Sequence, residues 1–138
     1  MAAGPLGQTA PGFIEERWFP PTRESVREVR HCIDEALSNT PPDTKEIALL
    51  LAGELATNAV EHGKTSYALH LLAAAEVVRV DITDHGGGHP CVLASDPTRA
   101  GGLGLVMVDR AATSWGVQNE SDDTTVWFEI AVSDRPAS

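Results

Sequence analysis

The chain is 138 residues long and 42% hydrophobic, which is enough for one domain with a buried core. Ten Lys and Arg residues oppose twenty Asp and Glu residues, and the formal charge of -10 argues against direct contact with the phosphate backbone of a nucleic acid. No apolar run approaches the roughly 20 residues that span a bilayer, and the N-terminus lacks the basic-then-apolar layout of a signal peptide. We therefore expect one cytoplasmic domain that contacts neither nucleic acid nor membrane.

The folded domain is predicted to occupy residues 13–132. Residues 1–12 are small, rich in Gly and Pro and without hydrophobic periodicity, which predicts a disordered leader, and residues 133–138 are predicted to form a tail. Neither an internal repeat nor a long linker interrupts the domain. Cys32 and Cys91 form no spacing motif, so we expect free thiols, as in a reducing cytosol.

The first predicted elements are a strand and an amphipathic helix. Phe13–Phe19 is apolar and aromatic enough for a strand, which two prolines end. A helix then starts at Thr22 or at Ser25, and Ser25 and Glu28 have the spacing of a capping box. Apolar residues at helical spacing continue this helix to about Asn39.

The second predicted helix carries polar residues beside its apolar stripe. It is expected to begin at Asp43 or Thr44 and to end at His62, before Gly63. Next to the stripe, four residues follow one another at i,i+4 steps, so their side chains are predicted to stack along one face of the helix. These residues are Leu50, Glu54, Asn58 and His62.

The rest of the chain is predicted to form four strands and a third helix. Alternating hydrophobicity defines two strands joined by a tight turn, a glycine-rich segment opens the helix, and two strands close the domain. In chain order these elements are strands 67–74 and 77–84, a helix of roughly ten residues that residues 101–104 open and that runs through Ala112, and strands 115–118 and 124–132 around a turn at 119–123. Helices followed by antiparallel strands predict an α+β two-layer sandwich, with the helices on one face of a mixed β-sheet.

Glu54 and Asn58 are the first candidates for chemistry. Taken alone, such a pair is ordinarily a solvated edge of a helix. In the functional interpretation, the side-chain oxygen of Asn58 binds a magnesium ion, which takes few protein ligands and leaves its other positions to phosphate and water. Glu54, one turn earlier, would accept the proton of an attacking hydroxyl.

Asp84 and Thr124 are predicted to lie on inward faces of their strands. A buried carboxylate needs a hydrogen-bond donor, and the amino group of adenine is a suitable one. Asp84 equally fits a cap of the glycine turn that follows it. Thr124 can supply a hydroxyl nearby or serve only as a strand residue, so both alternatives stay open on these residues alone.

Two glycine-rich segments, residues 84–88 and 101–104, allow the backbone to approach a ligand closely, although glycine is equally a turn former. The second segment opens a helix, whose free N–H groups and dipole attract phosphate. Neither segment matches the Walker loop or the dinucleotide-binding motif. His62, His85 and His89 lack the ligand spacing of a zinc site, and His62 suits the end of its helix by opposing the helix dipole.

In chain order these motifs resemble those of the GHKL ATPase superfamily. Residues 54–63 read ELATNAVEHG and resemble its N box, and residues 84–88 (DHGGG) and 102–105 (GLGL) resemble its two glycine boxes. Within the superfamily, the short chain and the form of the N box are most similar to the anti-sigma-factor serine kinases of the RsbW and SpoIIAB type. The resemblance covers about residues 13–132 and implies a Bergerat-type ATP-binding fold.

The resemblance implies a role for each matched residue. Asn58 resembles the magnesium ligand, Glu54 the general base and Asp84 the acceptor of the adenine amine. ATP and Mg²⁺ are therefore the implied cofactors. The implied nucleotide-binding residues are Asn58, His62, Asp84, Gly86, Gly88, Gly102, Leu103, Gly104 and Thr124.

The resemblance also implies a function and partners. Relatives bind a sigma factor and phosphorylate a small STAS-domain antagonist, so we expect an ATP-dependent protein serine/threonine kinase that acts as an anti-sigma factor, with homodimerisation as a further possibility. The alternatives are a non-catalytic ATP-binding module that sequesters a partner, and an ATP hydrolase without a protein acceptor. The chain departs from the family pattern at His89, where Ile or Leu is common, and at Asp123, where Gly is common, and both departures are expected to be peripheral.

Overall fold

The computed structural model describes residues 13–63, 65–85 and 102–132, which form a five-stranded sheet and a layer of helices. The predicted α+β two-layer sandwich, with helices on one face of the sheet, is confirmed. The strands are β1 (Phe13–Phe19), β2 (Tyr67–Ala73), β3 (Val77–Asp84), β4 (Ser114–Glu120) and β5 (Asp123–Ala131), and the helices are α1 (Arg23–Ala36), α2 (Pro42–Asn58) and α3 (Gly102–Ala111).

The strand order is β1-β2-β3-β5-β4, and every neighbouring pair among the described strands is antiparallel. The prediction of a mixed sheet was therefore wrong. The crossover through α3 does leave β4 parallel to β3, but β5 folds back and hydrogen-bonds between them. The two parallel strands consequently never become neighbours.

Alternation along the strands divides the sheet into an inner face, which the helices cover, and an outer face. In β3, Val78, Val80 and Ile82 are buried, whereas the residues between them are half-buried. Each fully buried aliphatic or aromatic side chain stabilises the fold by about 1.5–3 kcal/mol relative to exposure. The core between the two layers includes Phe19, Val29, Ile33, Leu37, Leu51, Leu55, Tyr67, Leu69, Val80 and Phe128.

Three further expectations concern the cysteines, the two termini and membrane-spanning helices. Cys32 is buried and forms no disulfide, as predicted, whereas Cys91 lies outside the described residues, as do the predicted leader at 1–12 and tail at 133–138. Within the described ranges, no helix is both long enough and apolar enough to span a membrane.

A chain of hydrogen bonds fixes the start of α1 to the start of β2. Thr22 is the N-cap, and its Oγ1 accepts a hydrogen bond from the backbone N of Ser25 at 3.3 Å. Ser25 Oγ donates to Thr22 O at 2.6 Å and lies 2.5 Å from the hydroxyl of Tyr67. Either hydroxyl can donate in the contact between Ser25 and Tyr67. Burial raises the pKa of Tyr67, the hydrogen bond with Ser25 lowers it in part, and the charge of Glu28 adds to the rise.

The start of α1 follows one of the two alternatives that the sequence left open, with Thr22 as the N-cap, whereas its end differs from the prediction. Ser25 lies in the first turn rather than at the cap, so the capping box with Glu28 does not form. The helix ends at Ala36 instead of near Asn39. Leu37 is buried in the core, and the chain turns there through a hydrogen bond from Thr40 N to Leu37 O at 2.9 Å.

Helix α2 begins earlier than predicted and ends in a wider turn. Its first residue is Pro42, whose fixed φ suits a first helical position that needs no backbone donor. After Asn58, residues 59–63 form a π-helical turn, in which hydrogen bonds span five residues. Thr57 Oγ1 donates back to Gly53 O at 2.8 Å just before this turn, a contact that tends to bend helices. The predicted α-helix therefore stops at Asn58.

The hairpin of β4 and β5 is longer than predicted. Its turn consists of Ser121 and Asp122, and Ser121 has a φ of 56°, in the left-handed region. Asn119 and Glu120, which were predicted to lie in the turn, instead pair with residues of β5. Helix α3 ends at Ala111 rather than at Ala112, and strand β2 ends at Ala73 rather than at Ala74, differences common for element boundaries.

On the outer face, polar groups pair with one another in an outer cluster of Arg79, Asp81, Trp127, Glu129 and Gly116. Arg79 Nε donates to Asp81 at 2.7 Å, and its Nη1 donates to Glu129 at 2.9 Å. The guanidinium carbon lies 4.3 Å from the ring centroid of Trp127. Burial alone would lower the pKa of Arg79, but the two carboxylates outweigh it and hold the pKa above its ordinary value. Gly116 lies so close to Trp127 that a Cβ would come within 2.9 Å of the ring.

Candidate functional site

Asp84 and Thr124 lie side by side at one end of the sheet. They are partners in the antiparallel register of β3 and β5, and they are only 7% and 2% exposed. Thr124 Oγ1 donates to Asn119 Oδ1 at 3.1 Å, which leaves the oxygen of the hydroxyl as an acceptor. Tyr67 is the partner of Asp84 on β2, so the carboxylate lies in a row of buried side chains on the inner face.

Asn58, on the last turn of α2, is the most unusual polar residue of the inner face. It is 2% exposed, and neither its Oδ1 nor its Nδ2 has a hydrogen-bond partner among the residues that the structure describes. Leaving a buried amide unpaired costs about 1–3 kcal/mol, so native proteins rarely tolerate it without a functional reason. A carboxamide oxygen is a hard ligand that suits Mg²⁺.

Glu54 lies one helical turn before Asn58 and is half-buried. Because an α-helix has 3.6 residues per turn, each step of four residues rotates the side chain by about 40°. Leu50 is 43% exposed, Glu54 is intermediate and Asn58 is buried, so the predicted line runs obliquely from solvent into the interior. Glu54 therefore stands at the boundary, where a carboxylate can meet a group that arrives from solvent.

His62 does not continue this line as predicted. It lies on the π-helical turn and is exposed, whereas the strict i,i+4 stacking requires an unbroken α-helix. The structure thus brings together Glu54 and Asn58 on α2 but leaves His62 at the surface.

The glycine motifs are only partly described. Gly86 and Gly88 lie outside the described residues. Gly102, Leu103 and Gly104 form the first turn of α3, as the prediction of a helix opened by glycines requires. Helix α3 packs against α2, the helix that carries Glu54 and Asn58.

Sequence reasoning missed a second group of side chains at the same end of the sheet. His85 Nδ1 lies 2.5 Å from Asp123 Oδ1, and the His85 ring stacks on Trp18 with 5.2 Å between centroids. The backbone N of His85 donates to Thr65 Oγ1 at 3.2 Å. Asp123, which was expected to be peripheral to the nucleotide site, makes its contact with His85 on the outer face. The signal was present in the sequence, since His85 and Asp123 flank the candidate residues Asp84 and Thr124, but it needs the strand register to be seen.

Comparison with protein families matches residues 19–130 to the family described as "Histidine kinase-like ATPase domain". The matched range includes the described candidate residues and the outer cluster. No curated protein sequence matches the chain significantly.

Solved structures share the fold. The RsbU and RsbW domains of Rv1364c from Mycobacterium tuberculosis give a TM-score of 0.69 at 21% identity, over 89% of this chain and 33% of that chain. The histidine kinase domain of the blue-light activated histidine kinase EL346 from Erythrobacter litoralis gives 0.53 at 19% identity, over 83% of this chain and 62% of that one. The histidine kinase AdeS of Acinetobacter baumannii gives 0.54 at 11% identity, with coverages of 87% and 68%. This chain therefore spans about a third of the length of the M. tuberculosis structure.

These identities establish a common fold and nothing finer. The family match is the stronger evidence of family membership, because it extends from Phe19 on β1 to Ile130 on β5 and so covers most of the chain. ATP is the ligand that the description of this family implies. The protein belongs to the family of histidine-kinase-like ATPase domains.

Proposed function

We propose that the protein is an ATP-dependent protein serine/threonine kinase that acts as an anti-sigma factor. The observation that carries this proposal is the buried, unpaired carboxamide of Asn58, one turn after a half-buried carboxylate. The similarity of its motifs to those of RsbW-type kinases supports the choice of kinase class, and the fold is one that an RsbW domain shares.

The residues present fit Mg-ATP. Asn58 offers Oδ1 to a magnesium ion, and the amide has no competing partner among the described residues. Asp84 is an acceptor for the adenine amine, with the Thr124 hydroxyl beside it. The first turn of α3 supplies backbone N–H groups toward phosphate. Bound magnesium would neutralise charge on the phosphate oxygens.

Glu54 has the role of proton acceptor in this proposal. The serine or threonine hydroxyl of the partner protein loses its proton to the Glu54 carboxylate, and its oxygen forms a bond to the γ-phosphorus. The bond between that phosphorus and the bridging oxygen breaks, and ADP leaves with the electron pair. A half-buried position suits this role, because the hydroxyl has to arrive from a second protein.

The proposed partners are a sigma factor and a STAS-domain antagonist that accepts the phosphoryl group. The similarity to RsbW-type kinases suggests both partners. The net charge of -10 is compatible with protein partners and unfavourable for nucleic acid. Homodimerisation belongs to the same proposal.

Transfer of labelled γ-phosphate from ATP to candidate STAS partners tests the proposal. We expect transfer with wild type, loss of transfer in Glu54→Gln with ATP binding retained, and loss of both in Asn58→Ala. Glu46→Gln is the matched control, since Glu46 is an exposed carboxylate near the start of the same helix. ATP turnover in the absence of any protein acceptor would indicate a hydrolase instead, and absence of Glu54-dependent transfer to every cognate partner would refute the kinase.

The alternative is a module that binds ATP and sequesters its partner without catalysis. The degree of burial favours this alternative in one respect, because three candidate binding residues, Asn58, Asp84 and Thr124, are buried, whereas Glu54, the candidate catalytic residue, is half-buried. Partner capture that survives Glu54→Ala but not Asn58→Ala, without phosphoryl transfer by wild type, would favour this module.

A further inference from the structure

We propose that His85, held by Trp18, Thr65 and Asp123, is a positioning residue that orients Asp84 and thereby sets the preference for adenine over guanine nucleotides. The inference rests on the proposed function, because it takes Asp84 as the acceptor of the adenine amine. It adds to that function a group of residues on the opposite face of the sheet.

The strand register connects the two faces. Asp84 and Thr124 are the last backbone partners of β3 and β5 at this end of the sheet, and the contact between His85 and Asp123 adds one side-chain pair immediately beyond them. Successive side chains of a strand point to opposite faces, so His85 lies on the outer face while Asp84 points inward. A cross-strand side-chain pair holds strand ends together, and this one does so at the point where Asp84 is presented.

His85 is restrained in three directions by three different segments. Trp18 of β1 stacks on its ring with an interplanar angle of 18°, and Asp123 of β5 binds Nδ1 at the edge of the ring. Thr65, just before β2, accepts the backbone N–H of His85. That N–H belongs to the rigid peptide group that links His85 to Asp84, so restraint of one residue limits the other.

The position of the carboxylate decides which base it accepts. Adenine presents an amino group that donates to a carboxylate. Guanine presents a carbonyl oxygen at the same ring position, and this oxygen repels the carboxylate. Such discrimination requires a fixed acceptor, because a carboxylate that can move away avoids the repulsion. Loosening His85 is therefore expected to reduce the preference for adenine.

The test compares dissociation constants for ATP and GTP, each with Mg²⁺, by isothermal titration calorimetry on the full chain. We expect Asp123→Ala to weaken ATP binding about tenfold and to leave GTP binding unchanged. The ratio of the GTP dissociation constant to the ATP dissociation constant should therefore fall about tenfold. Asp123→Asn should restore most of the preference, since its amide oxygen still accepts from Nδ1. Asp122→Ala, at the exposed neighbouring position, should match wild type.

A second variant keeps the test independent of the fold of the hairpin. His85→Phe retains an aromatic ring for Trp18 but removes the contact with Asp123. It should lower the ratio of the GTP to the ATP dissociation constant as Asp123→Ala does. Equal losses of ATP and GTP affinity would indicate a merely structural role and overturn the inference, as would an unchanged ratio or a wild type without preference. If wild type binds neither nucleotide, the proposed function fails and the inference with it. If wild type prefers ATP and both variants keep that preference, the inference alone fails.

Discussion

The outer cluster and Asn58 differ in how their buried polar groups are satisfied. On the outer face, the guanidinium of Arg79 is satisfied by two carboxylates and an aromatic ring. On the inner face, the amide of Asn58 is more deeply buried and has no partner among the described residues. The outer cluster is complete within the chain, whereas the Asn58 amide finds no partner among the described residues and, in the proposed function, is satisfied by Mg-ATP.

This difference separates structural from functional burial. A polar network whose members satisfy one another stabilises the fold, and removing one member leaves the others unpaired. A buried amide without a partner lowers stability and is retained where a ligand uses it. Apolar substitution in the outer cluster should therefore lower stability, whereas apolar substitution of Asn58 should raise it.

The largest expected effect is that of Asn58→Leu. Loss of the proposed magnesium ligand should weaken Mg-ATP binding by about 100-fold or more, since even outer-shell ligand partners are worth 10–100-fold. Without nucleotide, the free energy of unfolding should rise by about 1–3 kcal/mol, because an apolar side chain of similar size removes the unpaired amide. Calorimetric titration and urea denaturation measure the two quantities.

Asn39→Leu is the control for this substitution, since Asn39 is an exposed asparagine outside the helices. It should change stability by no more than about 0.5 kcal/mol. A fall in stability in Asn58→Leu would show that the amide is satisfied within the protein and would remove the contrast between the faces.

On the outer face, Arg79→Met is expected to lower the free energy of unfolding by about 2 kcal/mol. The substitution keeps an apolar stem over Trp127 but leaves the carboxylates of Asp81 and Glu129 without their cation. Urea denaturation measures the loss, with Arg110→Met, an exposed arginine of α3, as the matched control. Equal stability of the two variants would mean that the outer cluster is screened by solvent and contributes little.

Gly116→Ala tests the packing of the same cluster. The added methyl group would come within 2.9 Å of the Trp127 ring, which the Arg79 guanidinium holds, so we expect a loss of about 1–2 kcal/mol. A double-mutant cycle with Trp127→Leu should recover part of the loss, because the smaller side chain makes room. A gain in stability, as strand propensity alone predicts, would contradict a rigid ring.

The smallest expected effect belongs to Tyr67→Phe, which removes one hydrogen bond to Ser25 and should cost about 1 kcal/mol. Because the folded state raises the pKa of Tyr67, its contribution is fully present below the ordinary pKa of about 10 and is lost as the pH rises through the folded value. Tyr67 is the single tyrosine of the chain, so its ultraviolet absorbance reports this titration directly. An unshifted titration curve would show that the hydroxyl is solvated in the folded protein.

Local pattern was sufficient for most of the fold. The alternation of Val78, Val80 and Ile82 with polar residues marks a strand with one buried face, and the structure has β3 with the predicted bounds. Pairing between distant strands was not predictable in the same way. Nothing near Thr124 in the sequence indicates that β5 inserts between β3 and β4, and the prediction of a mixed sheet failed for that reason.

In the candidate site, too, features that depend on contacts between distant parts of the chain were not predictable from local pattern. The N box pattern pointed to Glu54 and Asn58, but their different exposure depends on how α2 lies against the sheet, which periodicity does not specify. The contact of Asp123 with His85 was not predicted, because the two residues are far apart in sequence and become neighbours only through the register of β3 and β5.

The π-helical turn after Asn58 affects how this chain should be aligned with its relatives. A turn closed by i to i+5 hydrogen bonds holds one residue more than an α-helical turn of the same reach. In a relative with an α-helical turn here, the segment between α2 and β2 would be one residue shorter. A correct alignment would place the gap within residues 59–63 of this chain. An alignment that ignores this gap would shift every position from there to β2 and would misassign His62.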